Sequence, residues 1–180
     1  VLTISSGPTN SIRGAGALSK ISNGIVIDVG GITSDGGVLV NYFPRESTQS
    51  AQIGGVRTNF RMPDVVAVGL GGGTIIRIEN GNCKLGPDSV GYQLKEKAIA
   101  FGGTILTISD FFIAEEQLEI EGTKTPENLK NNISIVGNLP YESILQKVKE
   151  TIQFEIEKLV DKLKTDGKDI PVIACGGGAF

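Results

Sequence analysis

Residues 24–40 constrain this chain more than any other stretch: Ile25, Val26, Ile27 and Val29 surround one acid, Asp28, and the run ends at Gly30-Gly31. An apolar run of this length bounded by glycines reads as a buried strand. A carboxylate at the carboxyl end of such a strand is costly to bury unless it has a task or a partner. Gly30 and Gly31 allow a sharp turn that aims backbone N–H groups outward, a concave donor surface suited to a phosphate. Thr33 and Ser34 add hydroxyls, Asp35 adds a second acid, and the chain returns as a strand over Val38 to Val40. The same residues also read as a tight hairpin capped by an aspartate.

Length and composition bound the rest. The chain has 180 residues, enough for one domain with a sizeable core. Its 25 glycines cluster in runs, so they mark loops rather than a repeat. Histidine is absent, which removes His-based triads, His-liganded zinc and imidazole acid–base chemistry. A net charge of -3 offers no basic surface for nucleic acid or anionic lipid. Cys83 and Cys175 lie far apart without a paired motif, which points to a reducing compartment and hence the cytoplasm. No apolar run is long enough to cross a membrane.

Along the chain, residues 1 to 4 predict a short strand, broken by Ser5-Ser6-Gly7-Pro8. Ser11 to Ser19 reads as a helix whose small residues, Gly14 to Ala17, let another backbone approach closely. Residues 25 to 85 predict an antiparallel meander in which Val65 to Leu70 is a buried strand ending in Gly71-Gly72-Gly73-Thr74. Gly86 to Tyr92 reads as a loop. Thr107, Ser109 and Asp110 form a helix cap before Phe111, and residues 115 to 138 read as an irregular excursion around at most one short helix. The clearest helix carries Ile144, Leu145, Val148, Ile152, Ile156, Leu159, Val160 and Leu163 at three- and four-residue intervals. It should run about six turns and cover a sheet. Ile170 to Ala174 predicts a strand that empties into Cys175-Gly176-Gly177-Gly178. Three glycines after a strand normally deliver the chain into a helix facing a ligand, so the sequence reads as a fragment of a longer polypeptide.

The hairpin resembles the second phosphate-binding loop of the actin-like ATPases. Six stretches extend the likeness: Ser6-Gly7-Pro8 with Gly14-Ala15, Asp28 to Asp35, Gly69 to Thr74, Gly86 to Gly91, Gly102-Gly103 with Thr107 and Asp110, and Gly176 to Gly178. In this order they resemble the hydantoinase A/oxoprolinase family. Two positions depart from it: Ile32 stands where the family usually has a hydroxyl, and Gly36 where it has an apolar residue. The first removes a phosphate contact and the second should loosen the return strand.

The resemblance implies an α/β, ribonuclease-H-like (actin-like ATPase) half-domain with a mixed sheet, antiparallel hairpins and packed helices. Residues 1–180 would be the second half of the ATPase domain, with the first half and its phosphate loop upstream. It implies ATP-dependent hydrolysis of a cyclic amide of the hydantoin or 5-oxoproline type, with ATP and Mg²⁺ as cofactors. Asp28 would be catalytic and hold the metal, and Asp35 would be a second metal residue, a role that hairpin capping rivals. Gly30, Gly31, Thr33 and Ser34 would bind the phosphates, and Gly176, Gly177 and Gly178 the adenosine. The expected partners are a small cyclic amide, the missing N-terminal half and a hydantoinase B type subunit, with no nucleic acid and no membrane. A non-catalytic nucleotide-binding or assembly module, or a ketone carboxylase subunit, are the alternatives.

Overall fold

A computed structural model describes residues 6–47, 52–53, 55–57, 62–79, 81–165, 167 and 169–179. The strand expected over residues 1 to 4 lies outside the described residues.

The alternation of the first long strand decides the layering. Side chains on a strand point alternately to opposite faces. In β1 (Gly24–Val29), Ile25 and Ile27 pack on one face with Leu159 and Leu163, while Val26 packs on the other with Ile12 and Ala15. Ile12 and Ala15 belong to α1 (Ser6–Ser19), the small-residue helix of the sequence. Ile25 and Val26 are wholly buried, a gain of about 1.5–3 kcal/mol each. The sheet is therefore sandwiched between two helical layers.

β1 pairs antiparallel with β2 (Ser34–Val40), which places Asp28 opposite Asp35 and Val29 opposite Ser34. The far edge of β2 is shared by β3 (Phe43–Pro44) and β6 (Val65–Val68), both antiparallel to it. Two short strands between them, β4 (Gln52–Ile53) and β5 (Val56–Arg57), pair only with each other. β7 (Thr74–Glu79) and β8 (Asn82–Ser89) form a separate ribbon, so residues 25 to 85 are not one continuous meander. β8 also runs through Gly86-Pro87-Asp88, expected to be loop. The ladder shifts register between Thr74 and Ile76 opposite them, and a proline at such an irregularity costs no ladder bond.

The helices that follow are α2 (Leu94–Lys97), α3 (Ile108–Ala114), α4 (Pro126–Gly137) and α5 (Tyr141–Leu163). α4 gives the excursion more order than expected: Pro126 opens it, and Leu129 and Ile133 are fully buried. α5 links the two cores. Its first half contributes Tyr141, Ile144, Leu145 and Val148 to the cluster under the β7–β8 ribbon, and its second half lays Leu159 and Leu163 on the sheet. Finally β9 (Val172–Cys175) joins β1 in parallel, setting Cys175 beside Asp28. The result is the expected α/β fold with a mixed five-stranded sheet. Among the described residues, no helix is long and apolar enough to cross a membrane.

Gly36 does not loosen β2. A Cβ there would lie 2.7 Å from Leu163 Cδ1 and 3.2 Å from Leu159 Cδ1, so the missing side chain is what lets α5 sit close to the strand.

Candidate functional site

Three glycine loops, far apart in sequence, meet at the carboxyl ends of β1 and β9. The β1–β2 hairpin turns over four residues, closed by the Gly30 N–H donating to the Thr33 carbonyl at 2.9 Å. The Gly178 N–H donates to the Val29 carbonyl at 2.9 Å, which fastens the C-terminal glycine loop to the same strand end. The loop after β6 docks from the third side: the Gly72 N–H donates to the Gly30 carbonyl at 3.0 Å and the Gly73 N–H to the Gly31 carbonyl at 2.7 Å. Between them opens a cleft of about 290 Å³, walled mostly by backbone: Gly30, Gly31, Gly72, Gly73, Gly91, Gly177 and Gly178. Ser109, Phe112, Leu94, Leu118 and Ile120 complete the lining.

Donors on the hairpin turn and on the C-terminal loop are unspent. Among the described residues, the backbone N–H groups of Gly31, Ile32 and Thr33 meet no acceptor, and neither does that of Gly177. Successive free N–H groups in a turn make an anion-binding concavity. Thr33 is half-buried, and its hydroxyl likewise has no partner among the described residues.

Asp28 and Asp35 share a face, as residues directly opposite on an antiparallel ladder do. Both are half-buried, and neither carboxylate accepts a hydrogen bond from a described residue. Burial, and then the charge of Asp28, push the Asp35 carboxyl above the usual carboxylate range. The Cys175 thiol is pushed up by burial and by the same charge. Two acids pressed together in this way suit a divalent cation, and Mg²⁺ is commonly bound by one or two carboxylates, with waters and phosphates completing its shell. Among the described residues there is no cluster of three His, Cys, Asp or Glu that could enclose a metal alone. The donor set therefore fits a hydrated Mg²⁺ shared with a ligand.

Of the residues singled out in the sequence, Gly30, Gly31, Gly177 and Gly178 line this cleft, while Asp28, Asp35, Thr33 and Gly176 lie at the same strand end outside its lining. Ser34 does not face it. As the cross-strand partner of Val29 it points to the sheet face opposite Asp28 and Asp35, is wholly buried, and donates its hydroxyl to the Leu70 carbonyl. Its surroundings are an apolar chamber of about 330 Å³ lined by Ile27, Val29, Leu70 and Phe112 among others. The period-2 alternation of the strand already held this information. Asp110 is a cap and not a cleft residue: wholly buried, it accepts the Ala100 N–H at 2.7 Å, the Thr107 N–H at 2.7 Å and the Thr107 hydroxyl at 2.9 Å. In the loop Gly71 to Thr74 the Thr74 hydroxyl accepts the Gly71 N–H at 2.8 Å, and the loop bonds both to the hairpin and to Ser109 and Val90.

A family model described as "Hydantoinase/oxoprolinase" aligns with residues 1–179. The chain is similar to a nucleotide-free structure of acetone carboxylase, described for ATP-dependent acetone carboxylation, at 22% identity and a TM-score of 0.69. That match covers 89% of this chain and 25% of the other. It is also similar to the ATP-dependent caprolactamase from Pseudomonas jessenii, at 20% identity and a TM-score of 0.67, over 94% of this chain and 27% of the other. The chain thus spans about a quarter of the length of either structure. At such identities the likeness bears on fold. A search of curated proteins returns no match.

Proposed function

The chain belongs to the hydantoinase/oxoprolinase family, and from that premise we propose that it supplies one wall of an ATP site in a cyclic-amide hydrolase. The observation that carries this reading is the run of three N–H groups at Gly31, Ile32 and Thr33 that meet no acceptor among the described residues, at the strand end that also carries Asp28. Gly31, Ile32 and Thr33 would hold the phosphates. Gly30 would serve by its turn, since its own N–H is already bonded to Thr33. Asp28, with Asp35 behind it, would hold Mg²⁺ through water. Gly176 to Gly178 would let adenosine lie against the backbone. Ser34 has no part in this reading, because its hydroxyl is occupied on the other face.

An amide carbonyl is a poor electrophile, and ATP held here would supply the activation by phosphorylating its oxygen. Catalysis of such a transfer is positioning plus charge stabilisation, which is what fixed backbone donors and a divalent cation provide. We read residues 1–180 as the second half of a two-half ATPase domain, with the other phosphate loop contributed by the rest of the protein. A hydantoinase B type partner and a cytoplasmic location belong to the same reading.

The test is phosphate release by the intact protein with Mg-ATP, alone and with hydantoin, 5-oxoproline and caprolactam. Stimulation by one of these lactams, with the ring-opened acid appearing in step, supports the proposal. The likeness to acetone carboxylase carries a second reading. Phosphate release that requires a ketone and bicarbonate, and no lactam, would favour it.

A further inference from the structure

The loop Gly71 to Gly73 bonds to two carbonyls of the hairpin turn, and through them it governs the N–H groups proposed to hold the phosphates. A planar trans peptide carries its carbonyl and its N–H on opposite sides. The Gly30 carbonyl shares a peptide with the Gly31 N–H, and the Gly31 carbonyl shares one with the Ile32 N–H. Gly72 and Gly73 hold those two carbonyls from one side, at 3.0 and 2.7 Å. The two N–H groups must then face the other way, away from the loop.

The brace is itself anchored. The Ser109 N–H and the Ser109 hydroxyl both donate to the Gly72 carbonyl, at 2.8 and 2.9 Å. Ser109 is 5% exposed and sits in the first turn of α3, which the buried Asp110 pins to Thr107 and Ala100. We infer that Ser109 is a positioning residue, acting through Gly72 to aim the hairpin's N–H donors. The inference rests on the nucleotide reading above and adds a residue to it.

Packing around the brace makes it testable. A Cβ on Gly72 would meet one atom within 4 Å, the Ser109 Oγ at 2.8 Å. Gly72→Ala should therefore push Ser109 away, and deleting that hydroxyl should relieve the conflict. Residues sharing one hydrogen-bond network are expected to be non-additive in this way.

The experiment measures the affinities of ATP and of adenosine for the intact protein in Mg²⁺, with thermal melting alongside. Ser109→Ala should weaken ATP by about three- to tenfold, the range of one lost hydrogen bond, and leave adenosine unchanged. Gly72→Ala should weaken ATP further, and the double variant should return to the level of Ser109→Ala alone. An unchanged ratio of ATP to adenosine affinity in Ser109→Ala overturns the inference, whether both affinities hold or both fall together. If Gly72→Ala does not fold, that ratio in Ser109→Ala decides the matter. A wild-type protein that binds adenosine and gains nothing from the phosphates would overturn the nucleotide reading and this inference together.

Discussion

Gly176 lies against the carboxylate of Asp28 so closely that a Cβ on it would overlap Asp28 Oδ1 and sit 2.8 Å from the Val29 amide nitrogen. Its backbone is left-handed as well, at a φ of 92°. Gly176→Ala should therefore cost about 2 kcal/mol or more, combining backbone strain with a contact against backbone that cannot swing aside. Urea unfolding measures this. The same variant should weaken nucleotide binding, because Asp28 must move.

The pairing of Asp28 with Asp35 sets function against stability. Like charges directly opposite on a ladder are destabilising, typically by about 0.2–1 kcal/mol. Asp35→Asn should raise the melting temperature in metal-free buffer and reduce the stabilisation that added Mg²⁺ gives. A lower melting temperature would mean that Asp35 is a structural cap.

Gly37 tests how tightly α1 lies on the sheet. A Cβ at this position would collide with Ile12 Cδ1, on the face opposite the one Gly36 offers to α5. Gly37→Ala should cost about 1–3 kcal/mol by overpacking. Shortening the colliding side chain with Ile12→Val in the same protein should return part of that loss, and a double-mutant cycle reads the coupling.

Glu115 should mark the acid limb of stability. Its hydrogen bond from Lys130, and a weaker one from Tyr141, hold its carboxyl below the usual range. The folded protein then binds fewer protons than the unfolded chain, so this contribution is fully present above the ordinary glutamate pKa of about 4.3 and is lost as pH falls through the lower folded value. Glu115→Gln should be less stable than wild type near neutrality, with the difference closing as pH falls below about 4. Asp110 runs the opposite way, since burial raises its pKa, so the informative quantity is the difference between the two proteins. Melting curves from pH 3 to 7 supply it.

Much of this architecture was legible in the residues, where one rule dominated. Ile144 to Leu163 gave α5 because its helical period is unbroken, and Ile25 to Ile27 gave β1 because a glycine pair bounds a short apolar run. Asp110 was foreseen as part of a helix cap with Thr107 and Ser109, because hydroxyl and acid residues precede Phe111. What failed was local punctuation overruled by tertiary context. Gly86-Pro87 signals a turn, yet the ribbon absorbs it at a ladder irregularity. Pro126 looks like a breaker, yet it opens α4. Ser34 looked like a phosphate ligand because hydroxyls near glycines suggest one, whereas its place opposite Val29 turns it to the buried face. The docking of Gly72 and Gly73 on the hairpin could not be read at all, since a glycine's backbone bonds leave no trace in composition or period.

The whole account turns on Asp28 and the hairpin gripping a metal-bound nucleotide. Titrating the intact protein with ATP, with and without Mg²⁺, in wild type and Asp28→Ala tests this most directly. Wild type should bind ATP more tightly when Mg²⁺ is present, and Asp28→Ala should lose that increment while keeping its fold by circular dichroism. Equal Mg²⁺ dependence in both proteins, or no ATP binding by wild type, would contradict the account.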